Sequence, residues 1–341
     1  MTSPLRPVRT APEEHADLTV LYLIDHLASG GAEQILLRYL RHLHGNGVDA
    51  RVTTIQTRDG NPLAADIAAL GIPVSNLHID RLRDSGARHR VRSHLAAVDP
   101  DLVHTQLEFS NVLGTLAASR LGIPTISTLH TLDTPGRWTR DGLRFRLMAS
   151  VLRRRADRVI AVSDSARDHH LAVGRLRPEA TITIHNGIDL DPFRHPALDA
   201  RSRVRAEHDI VAGAPVLATV AVLREPKGIQ HMLEALPRVL ETHPDAVYLV
   251  VGDGPHRAEL EGLAARIGIT RSVRFAGSRR DVADHLAAAD VFVLPSLTEA
   301  LPTVVAEAMA ASLPVIATTV GGIPEMGVQG ETALLVEPAS P

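Results

Sequence analysis

Short apolar runs alternating with stretches of helical period constrain this chain more than any other feature of its 341 residues. The runs fall at 18–24, 49–55, 74–77, 102–104, 125–129, 158–162 and 181–184, and a second series follows at 216–222, 246–251, 273–276, 291–294 and 315–317. Between them, apolar residues recur at helical spacing over 32–44, 63–70, 111–121 and 144–154, then over 230–240, 256–266, 282–288 and 304–311. A strand buried on both faces reads as a continuous apolar run, and parallel neighbours need a crossover helix, so the alternation predicts α/β structure. A Pro- and Arg-rich stretch at 191–214 separates the two series. We expect a loose tail over 1–17, a doubly wound Rossmann-like domain over 18–192, a linker and domain entry over 193–214, and a second Rossmann-like domain over 215–341. Doubly wound sheets bind ligands at the carboxyl ends of their strands, and a ligand shared by two of them would lie in the cleft where they face each other.

The length is enough for two cores, and with aromatic content of only 3% those cores must be built from Leu, Val, Ile and Ala. A formal net charge of −3 argues against a surface made for nucleic acid. The absence of cysteine excludes disulfides, thiolate metal sites and a cysteine nucleophile. No apolar run reaches the length of a membrane span and the first residues lack a secretory pattern, so the expected location is the cytoplasm.

Four βα junctions carry candidate chemistry. After the first run, Gly30 and Gly31 precede a helix, where backbone N–H groups would approach a phosphate; a tight turn without ligand is the other reading. The second half repeats the theme at Gly252 and Gly254, again either a ligand contact or a plain turn. Arg224 and Lys227 follow the run at 216–222, where cations would neutralise a diphosphate or simply lie in a solvated loop. The sharpest stretch runs from Ser296 to Glu307. Pro302 is expected at the first helical position, Glu299 in the loop before the helix, and Glu307 inside an apolar helix. A buried carboxylate needs donors, which sugar or ribose hydroxyls supply, unless an Arg of its own domain pairs with it.

The set Gly30-Gly31-Ala32-Glu33, Asn186-Gly187-Ile188-Asp189, Lys227-Gly228, Gly252-Asp253-Gly254, the pair Glu299 and Glu307, and Gly321-Gly322-Ile323-Pro324-Glu325 resembles the retaining, GT-B glycosyltransferases of family 4 over about residues 18–338. The resemblance implies a nucleotide-diphosphate sugar as co-substrate, a hydroxyl acceptor (saccharide, lipid-linked or small molecule) and no permanently bound cofactor. It implies that Glu307 holds the ribose hydroxyls and Glu299 those of the transferred sugar. Ala300, Leu301 and Thr303 would offer backbone N–H groups, Gly31 and Lys227 would meet the diphosphate, and Gly277 and Ser278 would read the base. His130 resembles the histidine near the sugar's hydroxymethyl group; His104, read at a similar strand end, and Asn186 are acceptor-side candidates. The implied front-side displacement requires no metal, and no His cluster is visible along the chain.

Three places depart from the family pattern. Val222 stands where an Arg is usual, leaving Arg224 to reach in from the loop, and Ala300 replaces a Gly, which is harmless only if its φ is negative. The segment 331–338 resembles one that precedes further helices in the family, so the second domain reads as truncated. A binding protein without catalysis, or a GT-B sugar-nucleotide epimerase, is the rival reading. Over 137–158, arginines at 137, 140, 144, 146, 153, 154, 155 and 158 surround Leu143, Phe145, Leu147, Met148, Val151 and Leu152. This stretch is either a helix packed on its sheet or a peripheral contact with anionic lipid.

Overall fold

The computed structural model describes residues 18–28, 30–43, 46–81, 84, 86–132 and 139–341; the expected tail, Ser29 of the glycine loop and Arg137 lie outside them. Thirteen strands are found among the described residues: β1 Leu18–Ile24, β2 Val48–Thr54, β3 Val74–Asn76, β4 Leu102–Gln106, β5 Thr125–Leu129, β6 Arg158–Ala161, β7 Thr181–Thr183, β8 Val216–Val220, β9 Val247–Val251, β10 Val273–Gly277, β11 Val291–Leu294, β12 Val315–Thr318 and β13 Leu334–Val336. They form two sheets, ordered β3-β2-β1-β4-β5-β6-β7 and β10-β9-β8-β11-β12-β13. The recorded strand pairings within both are parallel. In each sheet the chain starts in the middle, winds outward, and returns to the other side of its first strand. The switch points are therefore β1/β4 and β8/β11, where crevices open at the carboxyl ends.

The first-half helices are α1 Gly31–Leu43, α2 Leu63–Ala68, α3 Ala87–Val98, α4 Glu108–Leu121, α5 Arg140–Arg155 and α6 Asp164–Ala172. The second half adds α7 Asp191–Arg194, α8 Ala200–Glu207, α9 Ile229–Thr242, α10 Arg257–Arg266, α11 Val282–Ala288 and α12 Thr303–Ala310. By internal contacts the chain separates into Met1–Thr128 with Val151–Arg158, and Leu129–Ser150 with Val159–Pro341.

In the first unit, α1 and α2 bury Leu36, Leu37, Leu40 and Ile67 against Val20, Tyr22 and Val52 on one face of the sheet. On the other face, Val91 and Leu95 of α3 and Leu113 and Ala117 of α4 cover Leu21, Leu23 and Val103. α3 escaped the sequence pattern because its buried residues, Ala87, Val91 and Leu95, form a stripe one residue wide in an otherwise polar helix. In the second unit, Ile229, Met232, Leu233 and Leu236 of α9 show the i, i+3, i+4, i+7 spacing of a core-facing helix. They pack with α10 on Tyr248 and Val250 of β9, whose five residues are all buried. The stretch read as a linker contains α7 and α8, and Val204 of α8 packs against β8 and β9.

At the β1/β4 switch point Asp25 is buried. Its carboxylate accepts the N–H of Phe109 at 2.9 Å, the N–H of Ser110 at 2.7 Å and the Ser110 hydroxyl at 2.6 Å, so it caps α4 from across the sheet. Burial pushes this carboxyl above its usual range, and the three hydrogen bonds oppose that push. Leu107, immediately before α4, has φ 71°, a strained value for a branched side chain.

Candidate active site

The loops that leave β8 and β11 meet because those strands are neighbours. After β8 the chain makes a single 3₁₀ turn, Glu225–Lys227, and then Gly228 at φ 66°. A Cβ there would stand 1.8 Å from the carbonyl oxygen of Pro295, so only glycine lets the loop lie against the end of β11. Leu297 N–H donates to the Pro226 carbonyl at 2.8 Å and fixes the two loops together. Lys227 is thereby delivered to Glu299: Nζ lies 2.6 Å from Oε1, and the buried Ser296 hydroxyl donates to the same oxygen at 2.7 Å. Both donors use Oε1, which leaves Oε2 of a carboxylate only 8% exposed as a remaining acceptor.

A third loop supports this one from behind. Gly321, with φ 55°, would place a Cβ 1.5 Å from the Glu299 carbonyl oxygen, and one on Gly322 would stand 2.3 Å from that of Ala300. The two glycines of the Gly-Gly-Ile-Pro-Glu motif therefore let the loop after β12 run against Glu299 and Ala300. Ala300 O accepts from Gly322 N–H at 3.1 Å and from the Ser163 hydroxyl at 2.7 Å. Ala300 is absent from the residues with positive φ, so Ala in place of Gly costs no backbone strain. Glu325, ending the motif, accepts the N–H groups of Asp164 and Ser165 at the start of α6, each at 2.8 Å, and pairs with His185 at 2.9 Å.

Glu307 is 5% exposed on α12, with the Thr303 hydroxyl 3.4 Å from Oε1. Pro302 differs from expectation by one position: it is the extended flanking residue at ψ 101°, and Thr303 begins the helix. The helix start slips because Pro302 keeps only its favourable φ, while the turn is closed by Val305 N–H on the Pro302 carbonyl.

The remaining candidates divide by what surrounds them. The space beside Gly252 and Gly254 is filled by the β8 loop itself: added Cβ atoms would meet Ala221 O at 1.9 Å and Leu223 O at 2.4 Å. Both positions therefore require glycine for backbone packing, one of the two causes that the sequence signal could not separate. Gly277 has φ 72° and accepts Gly252 N–H at 2.8 Å; Ser278 beside it is exposed. In the first unit, a Cβ on Gly30 would stand 2.4 Å from Glu33 Oε2, the mobile end of a side chain whose other oxygen lies 2.8 Å from His26 Nδ1. Gly31 has nothing within 4 Å of a Cβ position and leads α1 from an exposed site. Arg224 is exposed and makes no side-chain ion pair among the described residues, and Val222 near it is also exposed.

His104 is corrected in position. β4 runs two residues past its expected end, so His104 lies within the strand, paired in register with Tyr22 and Ile126, rather than at its tip. Its Nε2 is 2.7 Å from the Thr128 hydroxyl, and desolvation in the sheet pushes its imidazole down to about 4. His130 follows β5 directly and is half-buried, as is Asn186 beyond β7. Asp189 and Asp191 stand two apart, but Asp189 Oδ1 accepts the Asp191 N–H at 3.2 Å where α7 starts. Sequence reasoning gave no role to Ser296 or Ser163. The Ser-x-x-Glu spacing of 296 and 299 was the available signal for the first; nothing local marked the second.

Comparison with known proteins matches this geometry to a family. The profile described as Glycosyltransferase Family 4 matches residues 29–192, and that described as Glycosyl transferases group 1 matches residues 214–341. The chain belongs to glycosyltransferase family 4. It is a glycosyltransferase, in a family whose members take sugar from a nucleotide-linked donor. A D-inositol 3-phosphate glycosyltransferase of Streptomyces scabiei is 29% identical over 350 residues, covering 92% of this chain and 76% of the relative. Another of the same name from Streptomyces avermitilis is 33% identical over 263 residues, 71% of this chain and 55% of its own length, so this chain spans little more than half of that relative. The crystal structure of Anabaena HepE in complex with UDP-glucose superposes with a TM-score of 0.81 at 24% identity, covering 94% of this chain and 85% of HepE. The family 4 glycosyltransferase thus has the GT-B architecture of two parallel α/β sheets.

Proposed function

We propose that this glycosyltransferase moves a hexose from a nucleoside diphosphate sugar to a hydroxyl acceptor with retention of configuration and without a metal ion. The observation that carries the reading is the division of labour on Glu299. Lys227 and Ser296 pin Oε1, and Oε2 is left to accept a hydroxyl of the sugar. Lys227 has further N–H donors to turn toward the diphosphate, together with backbone N–H groups of Leu301 and Thr303. Glu307 would accept the ribose hydroxyls, Gly277 and Ser278 would border the base, and His130 would stand beside the sugar. In the transfer, the acceptor oxygen bonds to the anomeric carbon as that carbon's bond to the phosphate oxygen breaks, and the acceptor proton passes to the leaving diphosphate. The chain's own contribution is positioning and charge stabilisation on the leaving group.

HepE binds UDP-glucose, which makes uridine diphosphate sugars the first donors to try. Thermal shifts against uridine, guanosine and adenosine diphosphate sugars, followed by assay of nucleotide release with saccharide and lipid-linked acceptors, test the reading. Binding without turnover by any donor would favour a sugar-nucleotide-binding protein. Glu307→Ala should weaken nucleotide binding by ~1.5–3 kcal/mol, roughly ten- to a hundredfold, because the ribose loses a charged acceptor. Unchanged affinity by calorimetry would make Glu307 structural.

The proposal extends to a membrane face on α5, where the apolar residues divide. Met148, Val151 and Leu152 are buried, while Leu143 and Leu147 are 51% and 47% exposed, beside exposed Arg140, Arg144 and Arg146. Two leucines one turn apart among arginines suit a cytoplasmic protein that touches anionic lipid peripherally. No helix among the described residues is long and apolar enough to cross a membrane. Co-sedimentation with phosphatidylserine vesicles at physiological salt should be lost in Leu143→Glu, Leu147→Glu; no binding by the parent chain removes the membrane from the proposal.

A further inference from the structure

Among the described residues, one cluster of side chains of metal-ligating type lies outside those assigned to the donor. α8 ends at Glu207, His208 follows it, and α11 carries His285, fully buried. The Nδ1 of His285 is 3.0 Å from the Asp281 carbonyl oxygen. A carbonyl can only accept, so Nδ1 carries the proton and Nε2 presents its lone pair. That lone pair is directed at His208, whose Nε2 is 3.3 Å away, with the rings at 63°. An N–H···N hydrogen bond would be expected nearer ~3.0 Å. Two imidazole nitrogens bound tetrahedrally to one zinc at about 2.0–2.1 Å stand roughly 3.3–3.4 Å apart. The observed separation suits a chelating pair as well as a long hydrogen bond.

We infer that Glu207, His208 and His285 form a binding site for a divalent ion of the zinc class. Their ligand atoms all lie within 4.8 Å of one another. Glu207 is the arm that must close: its carboxylate accepts from Arg279 Nη1 at 2.8 Å and Nη2 at 3.3 Å, and its side chain is partly exposed. Arg279 is also held by both oxygens of Asp281, at 2.9 and 3.0 Å, so it keeps a charged partner when Glu207 turns to the ion. The Asp281 carbonyl on His285 Nδ1 is the outer contact that commonly fixes a ligating imidazole. Two imidazoles and one carboxylate select zinc-like ions over magnesium or calcium, which prefer all-oxygen sets. Bound there, the ion would cross-link the end of α8 to α11 and stabilise the second unit. The site uses no donor residue and does not depend on the proposed transfer reaction.

The test uses the full, untagged chain, stripped with a chelator and dialysed. Zinc is titrated against a chromophoric indicator, and cobalt serves as the spectroscopic probe. The parent protein should take up one tight equivalent, melt at higher temperature with zinc, and give the visible absorption of tetrahedral cobalt. His208→Gln should bind zinc at least tenfold more weakly and lose that band, Glu207→Gln should fall between, and His208→Cys should restore binding. Both altered positions are partly exposed, and melting of the metal-free variants at the parental temperature shows that they fold. Absence of a tight equivalent in the parent, or parental affinity in His208→Gln, overturns the inference.

Discussion

Replacing Glu299 by Gln removes one charge and almost no volume, so it separates the two tasks proposed for this residue. The sugar loses a charged acceptor at Oε2, and Lys227 loses the partner that now holds Nζ at 2.6 Å. Turnover should fall at least tenfold, while affinity for the free nucleoside diphosphate, read by calorimetry, should hold or rise because Lys227 is released toward phosphate. A parallel fall in both would mean that Glu299 serves only to position Lys227. Ser296→Ala removes the second donor to Oε1, at a cost of about 1.5–3 kcal/mol for a hydrogen bond to a charged group. It should lower kcat more than it raises KM. Both residues could be named from the sequence as part of one motif, but their shared oxygen could not: the side-chain geometry depends on the βα loop 72 residues earlier in the chain.

Among elements, the strands were largely legible. β1, β5 and β11 fall where the apolar runs put them, because continuous burial on both faces leaves no other pattern. α3 was lost because a three-residue stripe does not register, and α8 because its buried residues are few among arginines. The start of α4 depends on Asp25, more than 80 residues away in sequence. Asp25→Ala leaves the N–H groups of Phe109 and Ser110 without their acceptor next to strained Leu107, and should destabilise the fold by about 1–3 kcal/mol, measured as a shift in urea midpoint. Full stability in that variant would show that the strain at Leu107 is relieved by relaxation of the helix start.

For the whole molecule, two histidines set an acid limit. His104 in the first unit and His170 in the second are both pushed down from 6.5 to about 4, chiefly by desolvation; His170 Nε2 donates to the Thr131 carbonyl at 2.9 Å. The unfolded chain binds protons at these residues before the folded one does. Stability should therefore be undiminished by them above about pH 6.5, fall as pH drops from 6.5 toward 4, and lose nothing further to them below 4. Urea midpoints from pH 4 to 8 follow this, and His170→Gln should flatten part of the slope. A slope unchanged in that variant would remove His170 from the account.

Element type, their order along the chain and the family motifs were fixed by local information, since burial period and turn residues act over a few positions. Which residues meet was decided by strand order. The β8/β11 adjacency joins Lys227 to Glu299, and the close approach of separate loops sets Ser163 on Ala300 at a separation of 137 residues. His208 and His285, 77 residues apart, face each other only because α8 packs with α11. The glycines show the same division most plainly. Their presence was readable, but whether each one faces open space, as Gly31 does, or makes room for the protein's own backbone, as at Gly252, Gly254 and Gly321, depends on what tertiary packing brings within reach of the missing Cβ.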